Sequence, residues 1–223
     1  MKKQRVQKLR TASGLFVAFA LWTAAVRLID VQPIGPNGSE VGFSAWNAAV
    51  HDLTGVHWSL YVITDWLGLV PVCLMLGFAI LGLVQWIQRK RILAVDRDIL
   101  ALGGFYLVVA AVFLFFEQFV VNYRPVLIVG CLEASYPSST TLLVLTVMPT
   151  AMMQLHDRIG RPVFRRVVLI AIVAFTAFML VGRFLSGVHW MTDIVGGILL
   201  SGSLVLAYDW FRVAEETDHS TES

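Results

Sequence analysis

Residues 166–211 read RVVLIAIVAFTAFMLVGRFLSGVHWMTDIVGGILLSGSLVLAYDWF, two apolar stretches joined by a short polar centre. The stretches, 166–183 and 189–211, are each close to the about 20 apolar residues that a helix needs to cross the hydrocarbon core of a bilayer. The centre carries Arg183, His189 and Asp193. We therefore predict a pair of membrane helices with these polar residues at their shared mouth.

The composition of the whole chain is typical of a membrane protein. Of its 223 residues, 57% are hydrophobic and 14% are charged, whereas a soluble domain has about 25% charged residues. The mean hydropathy is +0.74. The sequence has no dinucleotide fingerprint, Walker loop or zinc-ligand spacing. We expect the lipid bilayer as a partner, and neither nucleic acid nor a cofactor.

Six stretches are apolar and long enough for membrane helices. They are residues 13–29, 66–88, 98–121, 139–156, 166–183 and 189–211. The fourth is short and contains Pro149, which predicts a kink or a tilt. We predict an all-α bundle of six membrane helices that forms one domain over residues 1–215, followed by a disordered cytoplasmic tail at 216–223.

The basic residues predict how this bundle is oriented. Lys and Arg cluster before the first stretch, between the second and third, and between the fourth and fifth, while the alternate connections are almost free of them. Because cytoplasmic loops carry the excess of Lys and Arg, both termini are predicted to be cytoplasmic. The connections that hold Arg124, Ser138 and Arg183 then face outward. The short loops favour a bacterial plasma membrane.

The segment 30–65 is not predicted to cross the membrane, because Pro33, Gly35 and Pro36 interrupt it. Within it, residues 43–60 mix tryptophans with His51 and His57. This mixture predicts an amphipathic helix that lies at the outer membrane interface.

The outward-facing polar residues predict chemistry on a tetrahedral oxyanion. Two guanidinium groups, Arg124 and Arg183, suit bidentate binding of phosphate oxygens. His189 and Asp193 are four residues apart, so on a helix they share one face. The two arginines would supply the positive charge that a phosphoryl transition state needs, so we expect no metal ion.

These residues carry a resemblance to a known family. The pattern Arg124-Pro125, Pro137-Ser138 and Arg183-x5-His189-x3-Asp193 resembles the three motifs of the phosphatidic acid phosphatase type 2 superfamily, which includes integral membrane lipid phosphatases. The resemblance covers about residues 60–211. It implies that Arg124, Arg183, Ser138 and Ser139 bind phosphate, that His189 is the nucleophile of a phosphohistidine intermediate, and that Asp193 holds the other ring nitrogen of His189.

Four positions depart from the family pattern. Gly182 and Ser139 are mild departures, since the family has Ser and Gly there. Glu117 stands where the family has lysine, which predicts weaker phosphate binding unless Glu117 pairs with an arginine or is protonated. Thr140 stands where the family has its second histidine, the usual proton donor to the leaving group. A threonine hydroxyl is a very poor acid at neutral pH.

Three explanations fit the missing proton donor, and the sequence leaves them open. The leaving group does not need a proton, which favours a diphosphate over a phosphate monoester. Alternatively, His51 or His57 supplies the proton. In the third explanation the site is inactive and the protein binds or transports a lipid phosphate.

We favour hydrolysis of a membrane lipid phosphate or diphosphate, with a polyprenyl diphosphate such as undecaprenyl diphosphate as the preferred substrate. A phosphotransferase that passes the phosphoryl group to a lipid hydroxyl would show the same motifs. The sequence does not indicate the lipid headgroup or the oligomeric state.

Overall fold

Helices form nearly all of the regular structure. The computed structural model describes the backbone of residues 2–222 and the side chains of residues 3–212. Within residues 2–222, strand-like pairing is limited to three isolated β-bridges, so the predicted all-α class is confirmed. The predicted disordered tail at 216–223 lies outside the described side chains and stays a prediction. The helices are α1 (Lys2–Leu28), α2 (Ser44–Thr54), α3 (Trp58–Leu67), α4 (Leu69–Arg89), α5 (Arg97–Gln118), α6 (Ser139–Arg158), α7 (Pro162–Leu185) and α8 (Met191–Glu222).

Five helical stretches are long and apolar enough to cross a membrane, judged by length and composition. They are Lys3–Leu28, Trp58–Arg89, Arg97–Gln118, Pro162–Leu185 and Met191–Arg212. Each overlaps one of the predicted stretches. The first and second begin earlier than predicted, and the second includes both α3 and α4.

The fourth predicted stretch forms α6, which is not among these five. It packs against α4, α5, α7 and α8, and its buried face carries Thr150 and Gln154. The Thr150 hydroxyl lies 3.2 Å from the Tyr106 hydroxyl, and the Gln154 amide donates to the Tyr208 hydroxyl at 2.8 Å. Neighbouring helices shield α6, so it can carry hydrogen-bonded polar groups that lower its hydropathy. The count of six membrane helices stays a prediction.

The end of the bundle where α6 and α8 begin is called the site end below. There α1 and α8 are held together, because the Trp22 indole N–H donates to the Thr192 carbonyl at 3.1 Å. Further along the same pair, the Ser203 hydroxyl donates to the Ala12 carbonyl at 2.9 Å. The Trp22 contact fixes the first turn of α8, and the Ser203 contact fixes a turn further along the helix.

The segment predicted as one helix over residues 43–60 is instead divided into α2 and α3. Gly55 ends α2 with a φ of 66°, a conformation that favours glycine. The link then passes so close to Gly187 that a Cβ added at Gly187 would lie 2.0 Å from the Gly55 carbonyl oxygen. The His57 N–H donates to the Ser186 carbonyl at 3.0 Å. α2 and α3 therefore pack over the α7–α8 connection.

Candidate active site

A hairpin-like loop between α5 and α6 presents four polar side chains at the site end. Its arms are joined by hydrogen bonds from Arg124 N–H to the Glu133 carbonyl, 3.1 Å, and from Ser135 N–H to the Asn122 carbonyl, 2.9 Å. Residues two apart in an extended chain point to the same side. Asn122 and Arg124 on one arm therefore accompany Glu133 and Ser135 on the other.

The His189 ring is held by a serine that the sequence reasoning missed. The Ser135 hydroxyl lies 3.0 Å from His189 Nδ1 and donates to Asp193 Oδ2 at 2.5 Å. His189 Nδ1 and Asp193 Oδ2 are 3.8 Å apart. The direct bond that the family resemblance implies between histidine and aspartate is thus replaced by a His189–Ser135–Asp193 chain. A serine that gives its proton to the carboxylate can only accept from Nδ1, which leaves Nε2 with its lone pair.

Asp193 is fully buried, and its carboxylate is satisfied by three donors. Besides Ser135, the Asn122 amide donates to Oδ1 at 3.2 Å and the Trp190 N–H donates to Oδ2 at 2.9 Å. A buried charge is tolerated when it is hydrogen bonded in this way. The carboxylate is therefore held in one orientation behind Ser135.

Arg124 lies beside the free nitrogen of His189, and the charge of Arg183 also acts on the ring. Arg124 Nη1 is 3.3 Å from His189 Nε2, and both side chains are buried. Burial, together with the positive charges of Arg124 and Arg183, lowers the pKa of His189 well below its usual value. The ring is consequently neutral at neutral pH, the form in which Nε2 is a nucleophile.

Each arginine has a carboxylate neighbour that the sequence reasoning did not single out. Arg124 Nε lies 3.1 Å from Glu133 Oε2, and Arg183 Nη1 lies 3.7 Å from Asp65 Oδ1. Both carboxylates are partly exposed. The guanidinium of Arg183 also lies 5.1 Å above the Tyr61 ring, a cation–π arrangement. Within the described side chains, Glu117 forms no ion pair with either arginine.

Thr64 packs closely against Gly182, the position where the family motif has serine. A Cβ at Gly182 would lie 2.9 Å from the Thr64 methyl group, so a larger residue would displace Thr64. The Thr64 hydroxyl accepts a hydrogen bond from Arg183 Nη1 at 3.5 Å. A hydroxyl from α3 thus contacts Arg183 beside Gly182. The sequence prediction places Thr64 in the segment 30–65 outside the membrane helices, so it does not indicate this contact.

The start of α6 completes the site end. The Ser138 hydroxyl is fully buried and caps the helix, accepting from Thr141 N–H at 3.5 Å and from the Thr141 hydroxyl at 3.0 Å. These two bonds use the acceptor lone pairs of the Ser138 hydroxyl and leave its proton, the part that would donate to a phosphate oxygen, without an assigned acceptor. The first N–H groups of α6 remain suited to an anion, as at other helix N-termini. Ser139 and Thr140 are half-buried, and Glu117 is exposed beside Ser139.

His51 in α2 and His57 in the link between α2 and α3 have other contacts. The His51 ring packs against Trp190 with centroids 5.4 Å apart, and burial lowers the pKa of His51 despite the neighbouring Asp52. His57 Nε2 lies 2.9 Å from the Thr54 carbonyl oxygen. Among the described side chains, neither histidine is hydrogen bonded to His189 or to the arginines.

No protein-family model matches this chain, and no curated protein does. A crystal structure of a transmembrane PAP2 type phosphatidylglycerolphosphate phosphatase from Bacillus subtilis matches with a TM-score of 0.61 and 18% identity, over 92% of this chain and 96% of that one. This chain has the PAP2 fold. Together with the five apolar helices, the likeness supports a multi-pass membrane protein.

Proposed function

We propose that this protein hydrolyses a membrane lipid phosphate or diphosphate through a phosphohistidine on His189. The observation that carries the proposal is the pairing of a neutral His189 Nε2 with the Arg124 guanidinium, 3.3 Å away, in front of the Ser135–Asp193 chain. A second observation supports an anionic ligand. The buried Nε–H of Arg183 has no hydrogen-bond partner among the described residues, and a phosphate oxygen would satisfy it.

The first chemical step is attack of His189 Nε2 on the phosphorus. A bond from Nε2 to phosphorus forms, and the bond from phosphorus to the leaving oxygen breaks with its electron pair going to that oxygen. The ring becomes cationic, and the chain through Ser135 to Asp193 stabilises this charge. Arg124 and Arg183 stabilise the charge on the other phosphoryl oxygens.

In the second step, water attacks the phosphorus of the phosphohistidine. The bond from Nε2 to phosphorus breaks, His189 returns to its neutral form, inorganic phosphate leaves, and the proton of the water passes to solvent. A lipid hydroxyl in place of water would make the same protein a phosphotransferase.

A polyprenyl diphosphate is the substrate we favour. Thr140 does not protonate a leaving group at neutral pH. A diphosphate releases a lipid monophosphate, which is a far weaker base than the alkoxide released from a monoester. The proposed substrate therefore needs no proton donor at position 140.

The test is a substrate panel with purified protein in EDTA. Undecaprenyl diphosphate, phosphatidic acid and phosphatidylglycerol phosphate are compared by the inorganic phosphate they release, with His189→Ala as the blank. We expect release to be fastest from the diphosphate. Binding of all three without release above the blank would instead indicate the lipid-phosphate binder or transporter. Loss of the lipid phosphoryl group without free phosphate would indicate the phosphotransferase.

We further propose that the site end faces outward and both termini face the cytoplasm. The native Cys131 is exposed in the α5–α6 loop, so it reports the side of the site end without a new substitution. In a Cys73→Ala background, Cys131 should react with an impermeant thiol reagent in intact cells. Gly160→Cys, in a background that also carries Cys131→Ser, should react only after permeabilisation. The opposite labelling pattern would reverse the orientation.

A further inference from the structure

A groove runs along α7 from the end of the bundle opposite the site end, and it is called the α7 groove below. It encloses a cavity of about 500 Å³, within the range of about 300–1,000 Å³ that is typical of ligand sites. Its lining residues on α7 include Arg165, Arg166, Leu169, Ile170 and Val173. Residues at this spacing lie on one face of a helix.

The head of the α7 groove is cationic. Arg165 and Arg166 line it there together with His156, which lies near the end of α6. Arg165 Nη1 donates to the His156 carbonyl at 3.4 Å, which holds this arginine towards α6. Arg166 is exposed, and it has no ion pair or hydrogen-bond partner among the described side chains. The charge of Arg166 is therefore available to a ligand.

No carboxylate of the groove neutralises this charge. Among the described residues that line the groove, none is acidic. Asp157 follows His156 in the chain, but its carboxylate accepts from Arg212 at 2.9 Å and lies 3.0 Å from His156 Nδ1. Guanidinium groups bind phosphate oxygens in a fixed, often bidentate geometry. A ligand of the groove should therefore carry an anionic group, such as a phosphate, at this end.

The rest of the α7 groove is apolar and faces away from the bundle. Ile170 and Val173 are 62% and 56% exposed, and Leu169 is half-buried. The buried face of α7, with Ile172 and Met179, packs in one cluster with residues of α6. An apolar face that the neighbouring helices leave uncovered is typical of the lipid-facing side of a membrane helix.

The α7 groove is about as long as one leaflet is thick. From Arg165 to Ala174 the lining spans nine residues, which at the helical rise corresponds to about 14 Å. Half of the hydrocarbon core measures about 15 Å. The groove therefore suits the acyl chain of a lipid in the leaflet opposite the site end, which is the cytoplasmic leaflet in the proposed orientation.

We infer that the α7 groove binds an anionic phospholipid, with the phosphate of its headgroup at Arg165 and Arg166 and one acyl chain along Leu169 and Val173. Basic pockets on the cytoplasmic side of membrane helices recognise headgroups of this charge. The bound lipid is distinct from the substrate, because the groove and His189 lie at opposite ends of the bundle. The inference therefore does not depend on the proposed function.

Photocrosslinking with the full-length protein in phosphatidylcholine nanodiscs tests the inference. Phosphatidylglycerol with a diazirine in one acyl chain is compared with phosphatidylcholine that carries the same group, and the labelled residues are mapped by mass spectrometry. We expect phosphatidylglycerol to label the groove face of α7 at least about fivefold more strongly, which corresponds to about 1 kcal/mol, the contribution of one basic residue near an anionic surface. Equal labelling by the two lipids would show ordinary bilayer contact and would overturn the inference.

Arg166→Gln removes one charge from the head of the groove without removing a contact between described side chains. It should reduce the labelling by phosphatidylglycerol about fivefold. Arg91→Gln is the matched control, since Arg91 is exposed at the same end of the bundle, in the α4–α5 connection, and outside the groove lining. An equal loss in Arg91→Gln would indicate non-specific attraction to basic residues and would overturn the site.

Two further measurements distinguish a lipid from a small anion. Ala174→Trp fills the lower part of the groove and retains both arginines, so it should also weaken the labelling by phosphatidylglycerol. Glycerol phosphate, added in an amount equal to that of the labelled lipid, should not compete, because it lacks the acyl chain. Unchanged labelling of Ala174→Trp, or displacement by glycerol phosphate, would overturn the assignment of a lipid.

The catalytic variant separates this inference from the proposed function. His189→Ala should be labelled at α7 as strongly as the wild type, whether or not the wild type releases phosphate, because phosphatidylglycerol has no terminal phosphate group. Loss of the α7 label in His189→Ala would mean that the lipid is held through the candidate active site, and it would contradict a separate groove.

Discussion

The two sides of the candidate site differ in how completely their polar groups are bound. On the nucleophile side, His189, Ser135 and Asp193 are at most 4% exposed and form one hydrogen-bonded chain. On the leaving-group side, Ser139 and Thr140 are half-buried at the start of α6 and line a cavity of about 400 Å³. Arg124 and Arg183 lie at the nucleophile side with their carboxylate neighbours.

This difference separates what the protein must supply from what a substrate can supply. A histidine nucleophile needs a fixed tautomer and orientation before the reaction starts, and only the protein can provide them. The need for a proton at the leaving oxygen depends on the substrate, because a weakly basic leaving group departs without one. The departures from the family pattern at Thr140 and Glu117 lie on the second side.

The largest expected effect is the loss of the nucleophile. His189→Ala should remove nearly all phosphate release, because it removes the Nε2 atom that attacks the phosphorus in the proposed mechanism. His57→Ala is a matched control, since His57 is held by the Thr54 carbonyl instead. Release is measured from undecaprenyl diphosphate, and folding is checked by thermal unfolding in detergent. Near-normal release by His189→Ala would contradict the nucleophile assignment.

A smaller loss is expected when the connecting serine is removed. Ser135→Ala leaves a gap of 3.8 Å between His189 and Asp193, too long for a hydrogen bond. We expect kcat to fall about a hundredfold, as for the loss of one oriented donor in an active site, with KM little changed.

Ser135→Thr supplies the control for that loss. It retains the hydroxyl and should recover most of the rate that Ser135→Ala loses. If Ser135 only filled space, the larger threonine would not restore the rate above that of Ser135→Ala. If Ser135→Ala cleaves at the wild-type rate, Asp193 acts on His189 without the serine.

The leaving-group side should respond differently. Wild-type protein should cleave a diphosphate at least about tenfold faster than a monoester, a difference of about 1.4 kcal/mol in barrier. Thr140→His should increase the monoester rate more than the diphosphate rate, because it restores an acid. His51→Ala should have little effect. If His51→Ala or His57→Ala abolishes release while Thr140→His changes nothing, the proton comes from α2 or from the link that follows it, and the diphosphate preference is wrong.

The smallest expected effect concerns pH. The pKa of His189 is lowered by burial and by the two arginines, so the neutral nucleophile persists as the pH falls below 6.5, the usual histidine value. We expect kcat/KM, corrected for ionisation of the substrate, to change less than about twofold between pH 7.5 and 5.5, whereas an unshifted histidine would lose about nine-tenths of its neutral form over that range. A fall centred at or above pH 6.5 would mean that His189 is not shifted.

Parts of this site could be predicted from sequence because they share one short motif. Arg183, His189 and Asp193 lie within eleven residues between two apolar stretches, so spacing alone brought them to one mouth. Ser135 could not be found in this way, because it joins the site through a hairpin whose second arm has no motif. The alternation of Asn122 with Arg124, and of Glu133 with Ser135, around Gly130 was the available signal.

In the fold, too, features set by a local sequence pattern could be predicted, and features set by contacts between distant residues could not. Hydropathy located the five helical stretches that are long and apolar enough to cross a membrane, since a lipid-facing side must be apolar. It failed to show that Thr64 and Asp65 belong to a helix continuous with the second stretch, because the prolines and histidines upstream resembled an interfacial segment. It also could not show the role of α6, whose polar residues find partners only in the assembled bundle.

Trapping the phosphorylated enzyme tests the central claim most directly. Wild-type protein is mixed with undecaprenyl diphosphate labelled in its terminal phosphoryl group, quenched within one turnover in alkali, and analysed by mass spectrometry. Phosphohistidine survives alkali, so the label should be found on His189 of the wild type, and on no peptide of His189→Ala. Ser135→Ala should accumulate the same species more slowly. Release of labelled phosphate with no label on His189 at any time would contradict the mechanism.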